Sequence, residues 1–151
     1  MARFFRRGKS LIKFLPAVAG TSPTGPEFAA GTDLSPQIGG IGGFQLQNNP
    51  IETPDLATSF TSQINGPDTT DASTLTIYDD DSASTIRNLL AKGTVGVIVL
   101  EPYGHVSGKR CEVWRVTSTG VNDQWSLDAT AAQFMVGLAV NSVPTQAGTI
   151  P

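Results

Sequence analysis

His105 is the only histidine of the chain and Cys111 its only cysteine, which narrows the chemistry open to it. A general base at His105 needs a nucleophile held within hydrogen-bond reach. His105 lies between Gly104 and Val106 in a predicted loop, and the sequence fixes no Ser or Cys partner for it. One Cys forms no intramolecular disulfide, and one Cys with one His makes no zinc site of those ligands. Asp79, Asp80, Asp81 and Ser82 could open a calcium loop, but the further oxygens at set spacing and the closing glutamate are missing. They are read instead as helix-capping groups. Gly39-Gly40-Ile41-Gly42-Gly43 lacks the Lys and Ser/Thr of a phosphate loop and opens no helix, so it is a hinge or turn. Cys111 in a strand is a small apolar residue, and Trp114 and Trp125 are core or interface anchors. No acid, base, nucleophile or metal cluster converges. The chain is therefore read as a non-enzyme with no catalytic, cofactor or metal residues.

The elements around these residues are mainly strands. Phe60 and Ile64, the turn Asn65-Gly66-Pro67-Asp68, then Leu75 and Ile77 alternating with Thr74, Thr76 and Tyr78 predict a β-hairpin with a long connection. A helix is expected over about 82–92. Asp79 to Ser82 stand at its start, Ile86, Leu89 and Leu90 form one face, Arg87 and Lys92 lie near its end, and Gly93 follows as a stop. Val95 to Leu100 is apolar on both faces and marks the centre of the core. Pro102 to Lys109 reads as a hairpin loop into the β-forming run Arg110 to Thr117, with a further turn at Gly120 to Asp123 followed by Gln124 to Leu127. Phe134, Val136, Leu138 and Val140 alternate along the last strand. Such a pattern gives a mainly β fold, a β-sandwich or open barrel with one flanking helix.

The 151 residues suit one structural domain. Four stretches divide it: a basic N-terminal arm at 1–15, an extended Gly/Pro-rich segment at 16–58 that is expected to be ordered by contacts with neighbouring subunits or else to be a disordered linker, the β-sandwich core with its helix at 59–143 and a small-residue tail at 144–151. Pro16, Pro23, Pro26, Pro36, Pro50 and Pro54 disfavour helix in the second stretch, where Gly43 to Gln47 is expected to be a short strand with Phe44 and Leu46 on one face. Only 15% of residues are charged, beside 16 Gly and 10 Pro, which argues against a coiled coil or a helical bundle. No apolar run approaches the roughly 18 residues of a membrane span.

Charge is unevenly spread. Arg3, Arg6, Arg7, Lys9 and Lys13 give the arm +5, whereas the rest holds five Lys and Arg against all 13 Asp and Glu, a net of −8. Three readings of the arm stand: a targeting segment whose apolar run Lys13 and Pro16 interrupt, a nucleic-acid arm, or an arm that docks on the acidic surface of another copy. For the third, Phe4, Phe5 and Phe14 supply apolar anchors beside Arg3, Arg6, Arg7, Lys9 and Lys13.

Asp33-Leu34-Ser35, Ile41-Gly42-Gly43-Phe44, Ile51-Glu52-Thr53-Pro54-Asp55-Leu56, the hairpin ending in Tyr78-Asp79-Asp80-Asp81, and Ile86 to Gly93 with the apolar strand after it follow one another in a characteristic order. Over residues 13 to 146 the chain resembles major tail tube proteins of long-tailed bacteriophages. The charged start before residue 13 has no counterpart in that pattern, so its role is inferred from charge alone.

The resemblance implies a virion structural protein, assembled in the host cytoplasm as hexameric rings whose inner sheets join into a continuous β-barrel and whose stacking makes a tube for DNA delivery. Its partners would be copies of itself, the tape measure protein, the tail terminator and the tail-tip or baseplate proteins, with genomic DNA passing unbound and no membrane contact. The −8 charge of the body suits such a conduit, because carboxylates on its wall would repel DNA phosphates; candidates for a negatively lined lumen are among Asp68, Asp71, Glu101, Glu112, Asp123 and Asp128. The segment 48–57 would be a rigid loop touching a neighbour through Pro50, Ile51, Pro54 and Leu56. A tail terminator, a capsid decoration protein and a monomeric β-sandwich binding module are the alternatives.

Overall fold

The computed structural model describes residues 1–151. Its centre is one antiparallel sheet built from β1 (Leu11–Leu15), β2 (Thr32–Asp33), β3 (Ile38–Gly42), β8 (Ser73–Tyr78), β9 (Val95–Glu101), β10 (Arg110–Gln124), β11 (Gln133–Val140) and β12 (Thr145–Thr149). Across the sheet the order is β2-β1-β9-β10-β11-β8-β3, and β12 pairs with β10. Between β3 and β8 the chain leaves the sheet as a ribbon in which β4 (Leu46–Asn48) pairs with β7 (Asp68–Thr70) and β5 (Ile51–Thr53) with β6 (Ser62–Ile64). Two five-residue helices, α1 (Gly25–Ala29) and α2 (Thr85–Leu89), lie outside the sheet.

The apolar run Val95 to Leu100 is the two-faced strand its composition predicts. Ile98 belongs to an inner cluster with Ile12, Phe14, Leu75, Trp114, Val116, Phe134, Val136 and Leu138, which draws on five strands. Its neighbours Val97 and Val99 belong to an outer cluster with Leu15, Val18, Cys111, Val113 and Ile150. The period-2 alternation of side chains sends successive residues of one strand to two separate cores. Close packing here uses Gly96, because a Cβ at that position would collide with the Phe14 ring. The sheet is rolled so that its edges approach: Leu11 and Ile12 of β1 line the same cavity as Ile41 of β3 and Phe44 beyond it. This is the open-barrel form of the mainly β expectation, with α2 on its flank.

Several local expectations are corrected. The turn Asn65-Gly66-Pro67-Asp68 does not reverse a hairpin; it lies opposite Asn49 and Pro50 inside the ribbon, where the Asn49 amide donates to the Pro67 carbonyl at 3.0 Å. The reversal falls between β5 and β6 instead. Phe44 is not in a strand. Gly43 and Phe44 both adopt positive φ, at 82° and 58°, and this break turns the Phe44 ring edge-on to Trp114, with ring centroids 5.6 Å apart. The helix is five residues long rather than about 82–92, since Asp80 accepts from both the amide and the hydroxyl of Ser82 and closes a local turn there. Helical structure then starts only after Ser84.

Gly120 to Asp123 is no turn either. β10 runs through it to Gln124, with a bulge between Ser118 and Gly120. The stretch from 144 packs despite its small residues, through β12 against β10 and a buried Ile150. In the basic arm, residues from Leu11 onward form β1 between β2 and β9. The Gly/Pro-rich stretch likewise contains α1 and the strands β2 to β5.

Candidate assembly surfaces

The arm divides at Ser10, whose hydroxyl donates to the Pro102 carbonyl at 2.8 Å. Before it, Arg3, Arg6, Arg7 and Lys9 are solvent-facing, Phe5 is 77% exposed, and Phe4 packs on Tyr103 with centroids 5.6 Å apart. The Lys9 ammonium stands 4.8 Å from the Phe4 ring centroid, within cation–π range. After it, the two remaining arm candidates are withdrawn into the fold. Phe14 is a buried member of the inner core, and Lys13 places its ammonium 3.6 Å from a Glu101 carboxylate oxygen.

Glu101 is fully buried, which removes it from the acids able to face a lumen. The same carboxylate oxygen lies 3.1 Å from His105 Nδ1, and the His105 ring meets Phe28 of α1 edge-on. This structural cluster gives His105 no nucleophile. Cys111 beneath it is inert as well, its thiol pushed up to about 11 by burial, with the Glu101 charge adding to the effect. Glu112 is largely buried, with 20% of its side chain exposed, and stands 3.8 Å from Arg110; burial raises its carboxyl above the ordinary range.

The ribbon is held by its own polar groups. Asn48 donates to Asp68 at 2.7 Å, Gln47 to Asp71 at 3.2 Å, and the Thr53 hydroxyl to the Ser62 carbonyl at 3.1 Å. Asp68 and Asp71 thus brace the ribbon while remaining exposed. Pro50, without an amide hydrogen, sits where β4 gives way to β5, and Pro54 follows β5 toward the tip. Leu56 is wholly exposed, with Phe60 at 76% and Ile51 and Ile64 about half exposed.

At the far end of β10, Arg87 of α2 makes a bidentate ion pair with Asp123, and this hydrogen bonding lowers the Asp123 carboxyl below its ordinary value. Asp79, Asp123 and Trp125 line one shallow groove; Tyr78, Asp79, Asp80 and Asp81 line the next. Trp125 is 90% exposed, and Asp128 lies exposed in the same loop. The six acids proposed from the sequence are therefore dispersed over the ribbon and both ends of the sheet. No group of three His, Cys, Asp or Glu side chains is placed to hold a metal.

What the molecule presents is an exposed apolar ribbon, a basic N-terminal segment and dispersed acids, with no cleft of converging catalytic groups. The family model for "Phage tail tube protein" matches residues 1–151. The chain belongs to the phage tail tube protein family. A chain in the 6-fold symmetrised cryo-EM structure of the anti-feeding prophage (AFP) baseplate shares its fold, with a TM-score of 0.59 at 10% identity over 94% of this chain and 95% of that one. No curated protein sequence matches it.

As a tail tube family member it is a structural component of the phage tail rather than an enzyme. The family match includes the charged start that the sequence resemblance left out. Sequence reasoning missed three surface residues of this tail protein. Phe60 and Ile64, expected in the hairpin that leads to Leu75 and Ile77, stand exposed on the ribbon, and their neighbours Ser62, Gln63 and Asn65 are polar enough for a segment that stands in water. Trp125 was read as an anchor without a place; its flanking Gln124 and Ser126 fit a loop.

Proposed function

We propose that the chain builds the tail tube, as hexameric rings that stack, with the sheets of neighbouring copies joined into a continuous inner β-barrel. The observation that carries this reading is the ribbon: four large apolar side chains, Ile51, Leu56, Phe60 and Ile64, stand exposed on a two-stranded arm that its own chain does not cover. An isolated ribbon of this kind is marginal in water, and a neighbouring copy offers the surface it lacks. The sheet edges agree, because β2 and β3 each have one unpaired side that ring closure would satisfy. Six-fold symmetry is the symmetry applied to the baseplate that contains the similar chain.

The tube is a conduit for genomic DNA with a negative wall, which repels phosphate and keeps DNA from adhering. Of the acids proposed for that wall, Asp68, Asp71 and Asp128 keep exposed carboxylates that no cation of the same chain neutralises. Assembly would take place in the host cytoplasm, on a tape measure protein between tail-tip or baseplate proteins and a tail terminator.

Negative-stain electron microscopy of the purified chain at rising concentration, with sedimentation in parallel, tests the reading. Hollow stacked rings are expected. Single rings that never stack would point to a terminator, and a monomer that persists even on a preformed tail tip would overturn the proposal.

A further inference from the structure

The two ends of the sheet carry opposite charge. β1 starts at Leu11 opposite Glu101, and Leu100 faces Glu112, so the N-terminal arm, the 102–109 loop and Arg110 share one end. Gln133 faces both Gln124 and Tyr78, so the residues after β8 and the loop between β10 and β11 share the other. β10 connects the two, and its 15 residues would span ~45 Å if straight. At the first end Arg3, Arg6, Arg7 and Lys9 form no ion pair within the chain; at the second, neither do Asp79, Asp81 and Asp128. Several opposing charges are already engaged: Glu101 with Lys13 and His105, Glu112 with Arg110, and Arg87 with Asp123, while Glu27 accepts from the Ala19 and Thr24 amides.

We propose that the segment Arg3-Phe4-Phe5-Arg6-Arg7 of one copy docks on the Asp79–Trp125 groove of the next copy along the tube. This rests on the self-stacking reading and names the surfaces that carry it. The groove pairs the Asp79 carboxylate with an exposed indole, and Asp81 lines the adjoining groove that shares Asp79, a combination that suits an Arg-Phe segment: one guanidinium meets Asp79, a second reaches Asp81 beside it, and Arg or Phe5 stacks on Trp125. DNA is the wrong occupant for the groove, since both bring negative charge. Because donor and acceptor surfaces lie at opposite ends of one molecule, the contact is heterologous and leaves a free donor and a free acceptor after every addition, so it propagates. It also gives the stack a direction.

Two reversals and their combination test this. Arg3→Glu with Arg6→Glu and Arg7→Glu should abolish sedimentable tubes while the far-ultraviolet circular dichroism stays unchanged, and Asp79→Lys with Asp81→Lys should do the same. A chain carrying both sets restores the complementarity and should regain tubes. Normal tubes from either reversed chain, or no recovery in the combined one, would overturn the docking.

A second readout does not require tubes. Phe5→Cys and Trp125→Cys chains, mixed under mild oxidation with the native Cys111 buried, should give a disulfide-linked heterodimer. Its absence would overturn the contact. Its presence in a chain that never forms tubes would keep the contact and discard the conduit.

Discussion

β9 with its neighbours and the β4–β7 ribbon are both antiparallel β-structure, yet they answer to opposite rules. Val97, Ile98 and Val99 are buried on both faces of one strand, among side chains from distant parts of the chain. In the ribbon, Ile51, Leu56, Phe60 and Ile64 meet water, and the hydrogen bonds bracing it run between its own polar groups. The first region gains its free energy when the monomer folds. The second leaves apolar area in water, the area that the proposed association would bury. A single sequence thus contains two hydrophobic programmes, separated by the positive-φ pair Gly43 and Phe44, where the chain leaves the core for the arm.

That contrast breaks most sharply at Trp114. Trp114→Ala removes a fully buried side chain from the inner cluster and should cost about 3–5 kcal/mol in urea unfolding of the monomer. A loss below about 1 kcal/mol would mean the inner cluster is not the folding core. Deletion of residues 144–151 comes next. It strips Ile150 and β12 from the outer cluster, should cost about 1.5–3 kcal/mol, and should make Cys111 react with a thiol reagent under native conditions. A Cys111 that stays protected would show that α1 and Val18 cover the outer face unaided.

The ribbon should behave in the reverse sense. Leu56→Ser with Phe60→Ser should move monomer stability by no more than about 0.5 kcal/mol, because both side chains are already hydrated, while tube formation is lost. Ile51→Ser with Leu56→Ser, nearer the base, should do likewise. A destabilised monomer with intact tubes would invert the comparison.

The smallest effect concerns Asp123. Its carboxyl is lowered by Arg87, so the pair stabilises the fold above the ordinary aspartate range and ceases to do so as pH falls through the depressed value. Arg87→Gln should return the Asp123 titration, followed by NMR, toward its ordinary position. Its surface location keeps the stability change small.

What could be read from the sequence followed how local each signal was. Val97 to Val99 and the alternating Phe134, Val136 and Leu138 were legible because their burial is written in each residue's own type. The helix was overextended because Asp79 to Ser82 and Ile86, Leu89 and Leu90 satisfy helical rules one by one. Asp80 has a nearer partner in Ser82, and a turn forms first. The ribbon's pairing was hidden because Asn65-Gly66-Pro67 carries ordinary turn chemistry. Only the opposite strand, with its own Asn49-Pro50, turns that chemistry into a kink between two ladders. Lys13 and Phe14 were assigned to the arm by charge and proximity to its start, whereas their roles are set by Glu101 and by Gly96, more than 80 residues away. At the assembly surfaces the residue types were visible, but their distribution over two ends and a ribbon depended on register.

The ribbon also bears on the time before any tail exists. In an unassembled copy the exposed apolar hairpin invites indiscriminate strand-to-strand aggregation. Glu52 follows Ile51, Asp55 precedes Leu56, Asp68 and Asp71 flank the returning strand, and Pro50 and Pro54 interrupt the ladder. Like-charge repulsion and missing amide hydrogens are the usual gatekeepers of exposed β-segments. Glu52, Asp55, Asp68 and Asp71 thus place like charges on the ribbon where they would oppose such pairing between unassembled copies.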